Sequence, residues 1–275
     1  MITESTIRGG TKPPSLIRKF KTYKAWVKSI PLLLILVIWY IVTQLELVRP
    51  LFLPSPEAVL RSYVSLGPSL PEATWTSLSM IFTGFLIGSA IGIALSILMA
   101  YSKGFLYAFG TIFDLLRPVP VFALIPMFVL WFGIGAAPQI GLIALGCSMI
   151  MGVTTSEAVR NIPSIYIQAA YTLGADRKAV FRTIVMPNIV PHLVGAIRLA
   201  AASSFGLDVA AEFMGSQTGL GYLMIVQQQY LNTSGIFAIV ILYSVLALIV
   251  DRLIAVLESR LTAWTDRNHK NSALH

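Results

Sequence analysis

Apolar residues run along this chain in long stretches, and polar residues gather between them. Ile30 to about Leu47, Thr76 to Ala100, Phe105 to Phe132, Gln139 to about Val159, Asn188 to about Met214 and Gly235 to about Leu257 each read as a helix long enough to cross a bilayer. The pattern predicts an all-α, polytopic membrane helix bundle of about six spans. Between the first two stretches lies "LFLPSPEAVLRSYVSL", in which Ser55 followed by Pro56 is a helix-start pattern. Ala58, Val59 and Tyr63 then share a face, predicting a short amphipathic helix at the outer interface. Gly84, Gly88 and Gly92 stand four apart in the second stretch. Glycines so spaced admit another helix at close range, within the bundle or in self-association.

Composition agrees with this pattern. Hydrophobic residues make up 56% of the 275 residues and charged residues only 12%, where a soluble domain carries about a quarter. The net charge of +8 would suit a nucleic-acid partner in a soluble protein, but its distribution argues against one. Of the 20 Lys and Arg residues, only Arg49 and Arg61 fall in the predicted outer loops 48–75, 133–138 and 215–234. Seven others precede the first span. This asymmetry predicts cytoplasmic amino and carboxyl termini, with the basic flank drawn to anionic lipid. The expected organisation is a basic tail over 1–29, a membrane domain over 30–262 with its core at 74–258, and a second tail over 263–275. No cleavable leader is evident. The single cysteine, Cys147, lies in an apolar run and reads as a small buried hydrophobe.

One predicted cytoplasmic segment is neither apolar nor loop-like: "QAAYTLGADRKAVFRTIVMP", Gln168–Pro187. Pro163 ends the preceding helix, and Ser164 is expected to cap a short one that runs to about Leu173 and exposes Ala169 and Ala170. Gly174 suits the left-handed conformation that ends a helix. Asp176 is expected to cap a second helix with Val180, Phe181, Ile184 and Val185 on its apolar side, until Pro187 breaks it. The result is a rigid two-helix elbow, which reads either as a socket for a cytoplasmic partner or as a hairpin folded back on the bundle.

This segment resembles the EAA signature of permease subunits in ATP-binding-cassette importers: Glu-Ala-Ala, three residues, Gly, nine residues, Ile, one residue, Leu-Pro. Gln168-Ala169-Ala170, Gly174, Ile184, Met186 and Pro187 fall at that spacing, with Gln in place of the acidic residue and Met in place of Leu. "LRPVPVFALIPMFVLWFGIG" and "AAEFMGSQTGLGYLM", with "LFLPSPEAVL", resemble the branch that imports nitrate, taurine and alkanesulfonates, over roughly residues 50–260. The resemblance implies a type I importer transmembrane domain with residues 164–176 as the coupling helix. Gln168, Ala169, Ala170, Gly174, Asp176 and Pro187 are then its ATPase-coupling residues. It also implies a homodimer, two ATPase subunits that carry ATP and Mg, and an external substrate-binding protein. The chain itself has no Gly-x-x-x-x-Gly-Lys-Ser/Thr loop. His192, His269 and His275 have no motif partners, so no catalytic group, cofactor or metal is expected in this chain.

Ionisable groups in spans are costly and mark pathways or gates. Asp114 and Arg117, three apart, are expected to pair with each other, the alternative being dimer contact or gating. Pro118, Pro120 and Pro126 each remove a backbone donor, which at membrane depth requires protein or a wet cavity nearby. Arg198 is expected to snorkel or to cap the carbonyls so freed. Asp208 and Glu212, four apart without a basic neighbour, repel each other, so at least one faces water or another helix. Glu212 matches an acidic position of the resembled branch and Asp208 departs from it. Arg117, Pro118, Pro120, Pro126, Asp208 and Glu212 are therefore the translocation-pathway or gate candidates. The last outer loop, with Gly219, Gly221, Tyr222, Gln227 and Tyr230, either approaches the binding protein or is simply solvated. The competing function is a proton-coupled secondary transporter using Asp208 and Glu212. Sulfonate, taurine, nitrate and small aromatic acids all remain open as cargo.

Overall fold

The structure, a computed structural model, describes the backbone of residues 16–261 and the side chains of residues 30–256. Eleven α-helices and no strand occur among the described residues. Among the described residues four elements are long and apolar enough to cross a membrane: Leu70–Tyr101, Ala136–Arg160, Arg177–Gly215 and Thr233–Val256.

Helix α1 (Leu16–Gln44) starts well before the expected Ile30. Lys and Arg sustain a helix well, and the only proline within it is Pro31. Residues 1–15 of the expected first tail and all of the second, 263–275, lie outside the described residues. From Ile30 onward α1 exposes most of its apolar side chains, as a helix with hydrocarbon for solvent does. Trp39, midway along the apolar run, donates its indole N–H to the Pro54 carbonyl at 3.0 Å and packs its ring on Phe237. It is a docking residue rather than an interface anchor.

Helix α2 (Pro56–Leu66) begins as expected: Ser55 Oγ accepts from the Ala58 amide at 3.2 Å. Its buried face is Val59, Ser62 and Leu66. The Tyr63 hydroxyl donates to the Ala238 carbonyl at 2.7 Å, and burial raises its pKa above the ordinary phenol value. Helix α3 (Leu70–Tyr101) follows.

The expected third span is two helices. Helix α4 (Lys103–Leu116) and helix α5 (Ile125–Phe132) are joined through a turn and a 3-10 segment at Val121–Leu124. The two halves bend by 86°. At 1.5 Å per residue α4 is about 21 Å long, short of a hydrocarbon core of about 30 Å. Neither half crosses alone. Pro118 and Pro120 bracket the turn, while Pro126 sits in the first turn of α5, where a missing donor costs little.

Helix α6 (Ala136–Arg160), helix α7 (Ser164–Thr172) and helix α8 (Arg177–Val180) come next. A π-helical turn at Phe181–Val185 then leads into helix α9 (Met186–Gly215). Helix α10 (Leu220–Gln229) occupies what the sequence suggested was loop, and helix α11 (Thr233–Leu261) is the last described element. Leu220, Gly221 and Met224 of α10 are buried against α3, α9 and α11. That apolar triplet outweighs the polar tip Gln227–Gln229.

The centre of the bundle is α3, α6 and α9, with Ile143, Cys147, Met151, Ala196 and Ala200 buried together. The glycine stripe of α3 lies against α6. A Cβ at Gly84 would stand 2.7 Å from Ile143 Cβ, at Gly88 2.7 Å from Ala144 Cα, and at Gly92 2.8 Å from Met151 Cβ. The stripe therefore serves packing within the subunit, and Cys147 is a buried filler as expected.

Candidate functional site

Two regions bring the sequence candidates together: the elbow between α6 and α9, and a groove beside the bent pair α4/α5.

At the elbow, Pro163 rather than Ser164 occupies the cap position of α7, and no side chain caps that end. A serine placed after proline becomes the first helical residue. The other end is built as expected. Gly174 has φ +82°, its N–H bonds the Tyr171 carbonyl at 3.0 Å, and the Ala175 N–H bonds the Ala170 carbonyl at 3.0 Å. This pair of bonds is a Schellman motif. Asp176 Oδ1 accepts from the Ala179 amide at 2.7 Å and starts α8.

Pro187 does not break the chain, contrary to expectation. The π turn one residue earlier loosens the ladder where the proline ring would meet the preceding carbonyls. Arg177–Gly215 is consequently one continuous element of 39 residues.

The elbow has its own core. Val180, Val185 and Ile189 are buried with Ala158 and Ile162 of the α6 end, and Ile167 and Ala170 of α7 pack onto them. Ala169 is exposed, whereas Ala170 is half-buried, its small side chain allowing close packing on this core. Arg177 ties this core to α3: it donates to the Tyr101 carbonyl at 2.7 Å and lies 4.9 Å over the Tyr101 ring. Tyr101 also meets Phe181 edge-on at 5.3 Å. The outer surface of the elbow keeps Ile165, Tyr166 and Leu173 exposed, Leu173 at 87%. Ala169, Ala170, Ile184 and Pro187 line one hollow of about 500 Å³ with Tyr166 and Leu173. Four motif positions spread over 19 residues of sequence therefore meet at one surface. Gln168 is exposed outside the hollow.

The groove, about 680 Å³, runs between the bent segment (Val119, Val121, Phe122), α6 (Gly146, Ile150, Thr154) and α9 (Ser203, Gly206, Leu207). Arg117 and Glu157 stand in its wall. Pro118, Pro120 and Pro126 shape the bend but do not line the groove.

Asp114 and Arg117 do not pair with each other. Asp114 pairs with Arg160 at 2.8 Å and Arg117 with Glu157 at 2.5 Å. Each helix carries an acid and an arginine three apart, and the helices cross so that the pairs match head to tail. Glu157 was missed in the sequence reading, although its spacing to Arg160 mirrors that of Asp114 to Arg117. Arg198 holds Asp251 of α11 with two bonds, at 2.7 and 3.0 Å.

Asp208 and Glu212 are both fully buried and each faces another helix. The Tyr243 hydroxyl of α11 donates to Asp208 Oδ2, and Oδ1 has no partner among the described residues. Ser77 of α3 donates to Glu212 Oε1 at 2.7 Å and accepts from the Leu220 amide at 2.9 Å. Glu212 Oε2 accepts from the Gly221 amide at 2.5 Å. The carboxylate of α9 therefore satisfies the open N–H groups that start α10. Neither residue lines the groove. Ser77 and Tyr243 went unread because a lone hydroxyl in an apolar run does not announce its partner. Among the described residues there is no group of three or more His, Cys, Asp or Glu suited to a metal.

Residues 92–263 match the family described as binding-protein-dependent transport system inner membrane component. The chain is 30% identical over 240 residues to the taurine transport system permease protein TauC of Escherichia coli K12, covering 85% of this chain and 87% of that one. It is 28% identical over 242 residues to SsuC of Bacillus subtilis strain 168, a permease protein named for aliphatic sulfonates transport, covering 87% and 88%. Among solved structures, an inward-facing form of the MetNI methionine ABC transporter matches with TM-score 0.54 at 21% identity, covering 70% of this chain and 94% of that one.

Proposed function

The chain belongs to the binding-protein-dependent transport system inner membrane component family, and from that premise we propose how it works as the permease subunit of an ATP-binding-cassette importer. It is a multi-pass membrane subunit that catalyses no reaction itself. ATP and Mg bind to two copies of a separate ATPase, and a substrate-binding protein delivers cargo from outside. Both termini lie in the cytoplasm, as the placement of Lys and Arg supports. Residues 30–262 form the membrane domain, and two copies of it place their grooves face to face.

The observation that carries this reading is the elbow. The segment 164–176, a short helix ended at Gly174, exposes Ile165, Tyr166 and Leu173, and its Ala169 and Ala170 line one hollow with Ile184 and Pro187. A helix that only joined α6 to α9 would not need exposed apolar tips on a rigid base. ATP-driven closure of the partner pushes this helix, and the unbroken element Arg177–Gly215 carries the push to the groove. Gln168, Ala169, Ala170, Gly174, Asp176 and Pro187 are the coupling set. Arg117 with Glu157 is a gate in the groove wall, while Pro118, Pro120 and Pro126 fix the bend that opens it. Asp208 and Glu212 hold α9, α10 and α11 in register at the outer end.

The cargo is a small organic anion, with taurine or an alkanesulfonate favoured because relatives named for these extend over most of the chain. Arg117 is already held by Glu157, so the groove is a weak selector and selection falls to the binding protein. The proton-coupled alternative draws no support from Asp208 and Glu212, whose carboxylates are sealed from the groove.

Reconstitution decides between the two. In vesicles holding this chain, its ATPase and its binding protein, labelled taurine or ethanesulfonate uptake is expected to require ATP and to survive an uncoupler. Uptake that continued without the ATPase and collapsed with the uncoupler would establish the carrier instead.

A further inference from the structure

A second cavity, of about 610 Å³, lies on the other side of the elbow from the coupling hollow. Its walls are the end of α3, the start of α4, the end of α6 and the inward sides of α7 and α8. Three cationic residues line it, Lys103, Arg160 and Arg177, and no acidic residue does. Arg160 shares its charge with Asp114, and Arg177 spends one N–H on the Tyr101 carbonyl, leaving further donors on its guanidinium. Lys103 is exposed and has no ion-pair partner among the described residues. The remaining wall is largely apolar, including Leu106, Ile162, Ile167 and Val185.

We propose that this cavity binds an anionic phospholipid of the inner leaflet. A basic rim over an apolar wall matches a phosphate head on an acyl chain and suits a wholly soluble anion poorly. The cavity lies where an apolar helix, α3, ends and α4 turns away. Tyr101 and Tyr107 are there exposed at 48% and 69%, the residue type enriched where hydrocarbon meets headgroups. Exposed Phe105 and Ile112 continue the apolar surface along α4. The bound lipid touches Ile167 and Tyr171 of α7 and Arg177 of α8, bracing the elbow from behind. Coupling then depends on anionic lipid in the membrane. The inference rests on the orientation proposed above, with the elbow at the inner face.

The test is lipid retention by the assembled permease and ATPase, taken from vesicles of phosphatidylcholine mixed with phosphatidylglycerol and read by native mass spectrometry. The wild type is expected to retain phosphatidylglycerol in preference to phosphatidylcholine. Lys103→Gln, at an exposed residue whose loss leaves the fold intact, is expected to cut that retention by about fivefold, the worth of one cation near an anionic surface. Arg177→Gln is expected to cut it further. Equal retention of the two lipids by the wild type, or unchanged retention in Lys103→Gln, overturns the proposal. Displacement by free glycerol phosphate overturns it too, since the site would then be one for a soluble anion. Retention is read without transport, so its failure and a failure of the importer reading are separate results.

Discussion

Gly174→Val is expected to bring ATP-driven uptake down to the level of vesicles without ATPase while the protein remains in the membrane at its normal amount. Gly174 has φ +82° and nothing lies within 4 Å of where its Cβ would be. No clash is involved, so the effect comes from the backbone alone. A β-branched residue is a true outlier in this region, and even an unbranched one costs about 1–2 kcal/mol. The strain is relieved by giving up the two bonds that close α7, from Gly174 to Tyr171 and from Ala175 to Ala170. The helix then leaves the base it is packed on, whereas α3, α6 and α9 meet one another elsewhere. Co-purification of the ATPase should fall by roughly thirtyfold, the loss of a hot-spot contact of about 2 kcal/mol. Gly174→Ala should show a smaller loss in both readouts. Wild-type uptake by the valine variant would detach the elbow from coupling.

The second large effect concerns folding rather than coupling. Gly88→Val is expected to destabilise the bundle by about 3 kcal/mol or more, the upper range for overpacking. Its Cβ would stand 2.7 Å from Ala144 Cα and 2.8 Å from Cys147 Cβ. The nearest atoms are backbone or attached to it, so no side-chain rotation relieves the contact and α3 must separate from α6. Gly195→Ala provides the opposite sign. That glycine has nothing within 4 Å of its Cβ position, and alanine in a helix gains about 0.5–1 kcal/mol over glycine. Thermal unfolding of the purified permease should move down for the first variant and hold or rise for the second.

These two positions also show which features could be read from sequence. Gly174 and Asp176 carry local signals, since helix ends are decided by the residues at them. The stripe Gly84, Gly88 and Gly92 is a periodic signal, and Ser55-Pro56 is both. All these features formed as the sequence indicated. What escaped depends on residues far apart in the chain. Asp114 could have paired with Arg117 within its own helix, and only the crossing of α4 over α6 shows that Arg160 and Glu157 are nearer. Arg198 found Asp251, 53 residues away, for the same reason. For Asp208 and Glu212 the sequence indicated that at least one faces water or another helix; both face other helices, and Tyr243 and Ser77 could not be named as their partners. The prolines mislead in a different way. Pro187 is absorbed by a π turn, while Pro118 and Pro120 bracket a bend of 86°. The difference is one of neighbourhood: Pro187 follows a widened helical turn, whereas Pro118 and Pro120 stand exposed in the segment between two helices.

The most direct test of the account is where the elbow lies. With buried Cys147 replaced by serine, a single cysteine at the exposed Ala169 position is treated with a thiol reagent that cannot cross the membrane. Reaction is expected in inside-out vesicles stripped of ATPase, with protection when the ATPase is added back, and no reaction in intact cells. Labelling of that cysteine from outside intact cells would contradict the account.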